Sequence, residues 1–523
     1  MKKTKIILMI MLIISSLFLL TGCSKSKDDV VKIIDIKLTE ESYAYAVKKG
    51  NTSLLNDFNN FLDDIKDDGT LNEIIDKYLN DGENKKGVSY TDSSDVINDE
   101  KTFVVATNCP FEPFEYVGDD GLIYGIDIEI AQLYAELKGM DLVVKNIDFD
   151  AIFTNVEGGF ADIGMAGITI TADRLISFDF TNTYYDASQK LVVAADNHDF
   201  DNCQTASDVE RVLNGLAQEK IGYQNGTTGN WYVVGDDDWG FSGFPNLLAV
   251  GYKSGQLAIQ DIANGNLYCV VLDESPALFM VDAINDLGTF NAKWDVFTES
   301  LSSPYFKSLI LKGLLNTLVI AVCGLLIGIV IGTVIAMVKV APKYKRIMRI
   351  LDKIASVYVA IFRGTPIVVQ LLLTYYVLLP VLGISGLPAL MVAVIVFGLN
   401  SGAYVSEIMR GGINSIDKGQ MEAGRALGLG YWKTMFKIVI PQAIKNILPT
   451  LGNEFISLIK ETSVVSFISV ADLYKAFNDI GSNNYEVIIP YCAMALIYIG
   501  LIVVIGVLVK FMEKGLARSD KSK

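Results

Sequence analysis

The chain has 523 residues, of which 51% are hydrophobic and 20% charged, and its formal net charge is −16. Residues 304–523 contain 22 Lys and Arg against 11 Asp and Glu, a balance of +11, whereas residues 1–303 contain 22 against 49, a balance of −27. Nucleic-acid binding proteins are broadly basic, so this division excludes that class. It favours an acidic exported half joined to a basic membrane half.

The N-terminus predicts export. Three lysines within the first five residues precede the apolar run Ile6–Leu20, which at 15 residues is short for a membrane span of about 20. The run leads into "LTGC" (20–23), which resembles a bacterial lipobox. The resemblance implies that residues 1–23 are a lipoprotein signal peptide and that Cys23 is lipidated. A plain signal peptide or an uncleaved anchor is the alternative.

The first segment after the export signal holds few elements. "SYAYAV" (42–47) alternates like a strand, an amphipathic helix is predicted at about 52–66, and "DDGTLNEIIDKYL" (67–79) predicts a second helix. Thr70 and Glu73 are spaced as a capping box at the start of this helix. About fifty residues with one strand and two half-apolar helices cannot bury a core alone, so they must pack on another part of the chain.

The region beyond a polar linker at 82–100 alternates between strand and helix patterns from 101 to 285. This alternation predicts α/β lobes with mostly parallel sheets, in which ligands bind at the carboxyl ends of the strands. "MAGITITADR" (165–174) suits a free amino acid, because backbone N–H groups and Arg174 can hold the α-carboxylate. The α-ammonium group would meet acceptors supplied by Gly167, Thr169 and Asp273.

This region also resembles the type II bacterial solute-binding proteins for polar amino acids, which are bilobed α/β proteins with a hinge. The motifs that match in order are "ATNCPFEPFEY" (106–116), "DFDAIF" (148–153), "AGITITADR" (166–174), "FDFTNTYY" (178–185) and "LDESPA" (272–277). The resemblance implies that two aromatic rings sandwich the ligand's side chain and that two amides read its distal end. Two neutral amides favour a neutral polar amino acid such as glutamine; a basic amino acid or cystine is the alternative.

The resemblance implies ten ligand-binding residues. The sandwiching rings are Phe111 and Phe149, and the distal amides are Asn108 and Gln224. The whole set comprises Asn108, Phe111, Phe149, Gly167, Thr169, Arg174, Gln224, Thr227, Thr228 and Asp273.

The order of the segments differs from that family. Family members continue after the "DESPA" helix with a hinge strand, a further strand and two closing helices, whereas Asn291–Leu301 offers at most the hinge strand. Residues 32–81 resemble the missing tail throughout. The solute-binding domain is therefore expected to consist of a tail segment, 24–81, permuted to the front, and a main part, 101–302. The alternative is that the front segment is a relic.

The basic half, 303–523, predicts an all-α membrane domain. The inner connections are rich in Lys and Arg and the outer ones are not, so the acidic half is expected outside and the C-terminus inside, in a bacterial plasma membrane. Five spans are predicted, namely Gly313–Val338, 354–380, 387–409, 447–470 and Val487–Val509.

The inner connection after the third predicted span contains "EAGRALGLGYWKTMFKIVIPQA" (422–443). Its pattern predicts a short amphipathic helix, a turn at Gly428 and a second helix stopped by Pro441. It resembles the EAA loop of type I ABC importer permeases, which docks in a cleft of the ATPase subunit. The loop is placed at 411–445, and its coupling residues would be Glu422, Ala423, Gly428, Ile438 and Pro441.

Ionisable residues within or at the ends of predicted spans are costly, so they either pair with one another or line a polar path for the substrate. The five candidates for such a translocation path are Arg363, Glu407, Glu454, Lys460 and Glu461.

These patterns together predict a fused receptor and permease subunit of an amino-acid ABC importer. Its partners would be an amino acid, the lipid bilayer, a separate ATPase subunit and a second copy of the membrane domain. No nucleic acid, metal or cofactor is expected to bind. No G-x-x-x-x-G-K-[ST] phosphate loop occurs in the chain, so ATP hydrolysis is assigned to the partner. An amino-acid-gated channel is one competing class, and the five predicted spans and the EAA loop argue against it. An enzyme with a bilobed regulatory domain is the other, and the sequence offers no nucleophile–base constellation for it.

Overall fold

The structure, a computed structural model, describes residues 29–80, 82–90, 101–118, 120–237, 239–382, 384, 387–468 and 470–521, with side chains up to residue 511. The predicted signal peptide and lipidated Cys23 lie outside the described residues, as does the linker stretch 91–100. The chain forms two compact units. The first contains the described chain up to Lys307 and Asn478–Tyr491, and the second contains Ser308–Phe477 and the chain from Cys492.

The first unit has two lobes, each built on a five-stranded sheet. The strands are numbered in chain order. The sheet of the first lobe has the spatial order β7 (Asp141–Asn146), β4 (Thr102–Thr107), β8 (Ile163–Gly164), β3 (Ala46–Lys48) and β9 (Phe178–Phe180). A short antiparallel pair, β5 (Tyr116–Val117) and β6 (Ile123–Tyr124), and the helices Thr52–Asp67, Thr70–Leu79, Ile126–Lys138, Phe149–Glu157 and Ala172–Ser177 complete this lobe.

The sheet of the second lobe has the order β1 (Val31–Ile34), β11 (Gln189–Ala194), β14 (Cys269–Asp273), β12 (Lys220–Gln224) and β13 (Leu248–Tyr252). Its helices are Ala206–Gly215, Thr228–Val234, Gly255–Ala263 and Glu274–Asp286, followed by Phe290–Ser302. β12 pairs in parallel with β13 and β14, as the alternating pattern predicts, whereas β11 is antiparallel to both β1 and β14. The sheet is therefore mixed rather than mostly parallel.

Two extended segments run between the lobes and pair with each other as the hinge. They are β2 (Glu41–Tyr43) and β10 (Tyr185–Ala187), which are antiparallel. The predicted single strand 42–47 is therefore wrong in detail, because it divides into β2 in the hinge and β3 in the first lobe. Asn291–Leu301, which the sequence left as at most a hinge strand, is helical instead, capped by Thr289 Oγ1, which accepts from Ala292 N at 3.2 Å. The front segment already supplies the second hinge strand.

The predicted capping box at Thr70 and Glu73 is wrong as well. Gly69 occupies the cap position with φ +88°, in the left-handed region that favours glycine, and Thr70 is the first helical residue. Thr70 N donates instead to Asp68 Oδ1 at 2.9 Å. The preceding aspartate and glycine thus begin this helix.

The front segment shares the hydrophobic core of the first lobe. β3 lies between β8 and β9 and is antiparallel to both. The ring of Phe58 lies 4.5 Å from that of Tyr134 and 6.2 Å from that of Phe103, measured between centroids. The buried side chains that the two front helices contribute to this core are Phe58, Phe61, Leu62, Ile65, Leu71, Ile74 and Tyr78.

The second unit is helical. By length and composition, three described helices can cross a membrane: Pro304–Val340, Ala389–Asn414 and Ile488–Phe511, the last being part of Ile488–Lys521. A fourth span results if Arg346–Gly364 and Ile367–Val381, bent by 108° at their junction, count as one. The span predicted at 447–470 corresponds to the helix Ile440–Glu461 and the 3₁₀ helix Thr462–Ile468, which are not among these. The multi-pass character is clear, and the number of five spans stays a prediction.

Shorter helices complete the second unit. Within Ile367–Val381 the turns widen to π-type over Leu373–Leu378. The remaining helices are Lys418–Ala426, Tyr431–Thr434, Ile440–Glu461 and Leu473–Asn483. Tyr431–Thr434 continues into Ile440–Glu461 through a π-type stretch at Met435–Val439. The helix Leu473–Asn483 begins in the second unit and ends in the first.

We predict that Phe58→Ala in the front segment destabilises the first unit, because Phe58 is fully buried against the main part of the domain. Removing a buried phenylalanine side chain typically costs about 3–5 kcal/mol. Leu79→Ala is the control, since Leu79 lies in the same segment but is 37% exposed. Thermal unfolding of both purified variants measures the difference. Equal stability of the two would show that the front segment is a relic.

Candidate functional site

A cleft lies between the two lobes of the first unit, where β4, β12 and β14 end. Asn108 directly follows β4, Gln224 ends β12 and Asp273 ends β14. The cleft brings together all ten residues that the sequence nominated, and adds Glu115 and Ala166. Its lining comprises Asn108, Phe111, Glu115, Phe149, Ala166, Gly167, Thr169, Arg174, Gln224, Thr227, Thr228 and Asp273.

Arg174 supplies a buried cation to this cleft. Its Nη1 donates to Thr169 O at 2.6 Å, and its Nη2 donates to Gly226 O of the other lobe at 2.8 Å. The guanidinium carbon lies 5.6 Å from the ring centroid of Phe149 and 5.0 Å from that of Trp231. Burial lowers the pKa of Arg174 to about 10, so the side chain remains cationic at neutral pH. It is positioned to hold an anionic group.

Asp273 supplies a buried carboxyl group from the second lobe. Tyr43 OH donates to its Oδ1 at 2.5 Å. Burial, reinforced by the nearby carboxylate of Glu41, raises the pKa of Asp273 above its usual range. A cationic ligand group would favour the ionised form of this carboxyl, and ionised Asp273 would bind it in return.

Glu41 is a cleft-side residue that the sequence analysis missed. It is 6% exposed and lies on hinge strand β2, where its carboxylate accepts three hydroxyl bonds. Thr39 Oγ1 donates to Oε1 at 2.7 Å, while Thr169 Oγ1 from the first lobe and Thr228 Oγ1 from the second both donate to Oε2 at 2.8 Å. Glu41 therefore ties the hinge to both lobes.

The sequence did hold one signal for these hinge contacts, namely the two-residue period by which side chains alternate along a strand. Glu41 and Tyr43 lie two positions apart on β2 and so share one face. Tyr43 contacts Asp273, and Glu41 contacts Thr169 and Thr228. Both belong to the segment expected to close the domain rather than to bind, so the sequence directed no attention to their side chains.

The two amides predicted to read the distal end of the ligand are partly engaged by the backbone. Asn108 Nδ2 donates to Ile147 O at 2.7 Å, and Gln224 Oε1 accepts from Gly255 N at 3.2 Å. The remaining polar atom of Asn108 is an acceptor, and that of Gln224 is a donor. The amides therefore present opposite hydrogen-bonding characters.

The two lobes are in close contact at Gly226, whose carbonyl accepts from Arg174. This residue has φ +72°, and a Cβ added to it would lie 2.2 Å from Asp150 Oδ1 of the other lobe. A side chain there would require Asp150 to move.

The coupling residues nominated by sequence lie in the second unit. Glu422 and Ala423 are exposed on the helix Lys418–Ala426, and Gly428, with φ +84°, forms the turn that follows. Ile438 lies in the π-type stretch of the next helix. The prediction that Pro441 stops this helix is wrong: the helix continues to Glu461. The widened turns just before Pro441 accommodate its ring and its missing N–H within a continuous helix.

The ionisable residues nominated for a translocation path are in part paired. Glu407 accepts from Lys339 Nζ at 3.0 Å and from Arg410 Nη2 at 2.6 Å, which favours the pairing interpretation for this residue. Glu454 accepts from Ser401 Oγ at 3.0 Å. Arg363 lies over the ring of Tyr404, 5.2 Å from its centroid, and Lys460 and Glu461 are exposed in the single chain.

We predict that Gly226→Ala weakens binding of the amino acid that the sequence predicts as ligand, because the added methyl group pushes Asp150 and the lobes apart. Overpacking typically costs about 1–3 kcal/mol, which corresponds to about 5- to 150-fold in affinity. Gly240→Ala is the matched control: Gly240 also has φ +72°, but its added Cβ would meet no atom within 4 Å. Calorimetric titration measures the ligand affinity of both variants. An equal loss of affinity in both would show that backbone strain alone, and not the contact with Asp150, weakens binding.

Comparison with known proteins identifies the protein family to which the second unit is related. Residues 324–518 match the family described as "Binding-protein-dependent transport system inner membrane component". The arginine transport system permease protein ArtQ of Bacillus subtilis (strain 168) is 40% identical over 211 residues, which are 40% of this chain and 94% of that protein. The putative glutamine transport system permease protein GlnP of Rickettsia bellii (strain RML369-C) is 40% identical over 207 residues, 40% of this chain and 92% of that protein.

Among solved structures, the arginine-bound form of truncated ArgBP from T. maritima is 27% identical, covering 35% of this chain and 78% of that one, with a TM-score of 0.30. The two permeases are matched over nearly their whole length. The chain therefore belongs to the family of inner membrane components, or permeases, of binding-protein-dependent ABC transport systems.

Proposed function

We propose that this protein takes up an amino acid across the plasma membrane, as the receptor and the permease of an ABC importer in one chain. The observation that carries the ligand class is the pair of buried, opposite charges in the cleft: Arg174 from one lobe and Asp273 from the other. An α-carboxylate and an α-ammonium group, held together in every free amino acid, complement this pair. The names of the related permeases agree with the proposal.

The other cleft residues are assigned to positioning. Phe111 and Phe149 would hold the ligand's side chain between them, and the hydroxyls of Thr169, Thr227 and Thr228 border the charged end. Which amino acid is bound depends on the distal end of the cleft. The preference for a neutral polar ligand, based on the two amides there, stays a prediction.

The front segment would complete the receptor rather than stand apart from it. It contributes the edge strand of one lobe, a hinge strand, and an interior strand with two helices of the other lobe. Lipidation at Cys23 would anchor the receptor at its N-terminal end, and the first membrane helix would hold the other end. The basic inner connections favour a receptor on the outer face and a cytoplasmic C-terminus.

Energy would come from a separate ATPase subunit docked on the loop 411–445, and the membrane unit would work as a dimer. The exposed helix that carries Glu422 and Ala423 offers a surface for such docking, next to the exposed side chains of Leu427 and Trp432. The turn at Gly428 joins this surface to the long helix Ile440–Glu461 through continuous helical structure.

We predict that Arg174→Ala abolishes binding of every amino acid that the receptor accepts, because the α-carboxylate is common to all of them. Losing one partner of a buried charge pair costs about 2–5 kcal/mol, which is tens- to thousands-fold in affinity. Arg211→Ala is the control, since the side chain of Arg211 is 75% exposed. Calorimetry with a panel of amino acids measures both variants. Normal binding by Arg174→Ala would place the site elsewhere.

We predict that the purified chain alone hydrolyses no ATP and that ligand-stimulated hydrolysis appears only with a partner ATPase. Gly428→Val should reduce that stimulation by about tenfold or more while ligand binding stays intact, because a β-branched residue at φ +84° is strongly disfavoured. Gly430→Ala is the control, because Gly430 has no positive φ and open space around it. ATP hydrolysis by the lone chain would contradict the assignment.

A further inference from the structure

Trp231 is the aromatic residue beside the cleft to which the proposed function gives no role. It is half-buried on the helix Thr228–Val234 of the second lobe. Its ring centroid lies 5.0 Å from the guanidinium carbon of Arg174, which belongs to the first lobe. On the side of the first lobe, the rings of Phe153 and Phe149 lie 4.9 Å and 5.6 Å from the same carbon. Aromatic rings of both lobes therefore enclose this guanidinium.

The guanidinium of Arg174 is buried without an ion pair to the protein. It is 8% exposed, and among the residues that the structure describes no carboxylate oxygen lies within 4.0 Å of its nitrogens. The groups that compensate its charge are Thr169 O, Gly226 O and the three rings. The faces of aromatic rings attract cations, and the indole ring does so most strongly. Because a guanidinium has five N–H donors, this arrangement leaves donors for a ligand carboxylate.

The groups of the second lobe that contact Arg174 reach it only when the lobes are together. Gly226 and Trp231 both follow β12, whereas Arg174 and its two phenylalanine neighbours lie on helices of the first lobe. When the lobes separate, Arg174 keeps Thr169 O and the phenylalanine rings but loses Gly226 O and the indole ring. The contact with Trp231 therefore stabilises the closed state alone, as a group that shifts the equilibrium between two states must do.

The position of Trp231 indicates an effect through Arg174 rather than on the ligand itself. Trp231 is absent from the cleft lining, which contains both Phe149 and Arg174. Its ring also packs near that of Trp239, with centroids 6.4 Å apart, so part of its role is ordinary packing. The test must separate this packing from the contact with the cation.

We propose that Trp231 is a positioning residue: it completes the enclosure of Arg174 from the second lobe and so holds the receptor closed on whichever amino acid is bound. The inference rests on the proposed function, since it assigns the α-carboxylate to Arg174. A guanidinium between rings of two lobes has little freedom to turn, so its remaining donors keep one direction. Because the α-carboxylate is common to all amino acids, Trp231 increases affinity without changing selectivity.

Trp231→Leu and Trp231→Phe separate the contact with the cation from packing, because both shrink the side chain but only phenylalanine keeps an aromatic face. Calorimetric titration of the full-length chain in lipid nanodiscs with each of the twenty standard amino acids gives the affinities. We expect Trp231→Leu to bind about 5- to 30-fold more weakly, by the same factor for every amino acid that the unmodified chain binds. Trp231→Phe should stay within about threefold of the unmodified chain.

Trp294→Leu is the control for the loss of a tryptophan, because Trp294 is 48% exposed on the helix Phe290–Ser302. It should bind as the unmodified chain does. Equal losses of affinity in Trp231→Leu and Trp231→Phe would show that Trp231 acts by packing alone and would overturn the proposal. A loss confined to one amino acid would overturn it too, because Trp231 would then contact the ligand's side chain.

The rate constants give a second readout. Since the contact exists only while the lobes are together, Trp231→Leu should raise the dissociation rate constant by nearly the whole loss of affinity. The association rate constant should stay within about twofold. Release of a radiolabelled amino acid into an excess of the unlabelled one measures dissociation. A loss of affinity that arises in the association rate constant would overturn the proposal.

Fluorinated tryptophan tests the attraction between ring and charge with almost no change in shape. Fluorine withdraws electron density from the ring face, so incorporation of mono-, di- and trifluorotryptophan at all four tryptophans should weaken ligand binding step by step. The Trp231→Phe chain labelled in the same way is the matched control, and its affinity should not depend on fluorination. The same dependence in both chains would overturn the role of Trp231.

The outcomes also separate this proposal from the proposed function. Unchanged affinity in Trp231→Leu, together with loss of binding in Arg174→Ala, would overturn the role of Trp231 and leave the amino-acid receptor in place. Binding of none of the twenty amino acids by the unmodified chain would overturn both.

Discussion

The first unit depends on how its front segment threads both lobes. Within 18 residues, Val31–Lys48, the chain supplies an edge strand to one sheet, a hinge strand, and a strand inside the other sheet. The insertion of β3 between β8 and β9 is the central constraint, because a strand inside a sheet satisfies the backbone groups of both neighbours. The two helices that follow then cover the apolar face of the lobe. Removing this segment would open a sheet and expose a core at the same time.

The same threading positions the charges of the cleft. Because β2 lies in the hinge, Glu41 reaches hydroxyl groups of both lobes and Tyr43 reaches Asp273. These contacts hold Asp273 across from the lobe that carries Arg174. A segment that closes the fold thus also orients the binding groups, although it contributes none of the residues nominated as ligand contacts. In such an arrangement the closed state of the lobes and the geometry of the site are set by the same hydrogen bonds.

In the inner loop of the membrane unit, an exposed helix is joined by a short turn to a long helix. The exposed helix with Glu422 and Ala423 turns at Gly428 and re-enters a helix that continues to Glu461. Only the short turn 427–430 lies between this surface and the long helix, so a movement of the surface would reach the helix through that turn. The positive φ at Gly428 makes this turn sensitive to any side chain, while the open space around it leaves packing unaffected.

The sequence by itself determined the local elements and the motif residues. Strands such as Thr102–Thr107 and helices such as Ile126–Lys138 follow from periodicity, which depends only on neighbouring residues. Of the ten residues nominated for the cleft, Asn108, Gln224 and Asp273 lie at the carboxyl ends of β4, β12 and β14, which is where the alternating pattern predicts that ligands bind.

Only the tertiary structure decided the hinge, the path of the chain through Pro441, and the role of Glu41. Pairing partners of a strand lie far away in sequence, so β2 could not be separated from β3 by its pattern alone. A buried carboxylate looks like any surface glutamate in sequence, because burial and hydrogen-bond partners are properties of the packed fold.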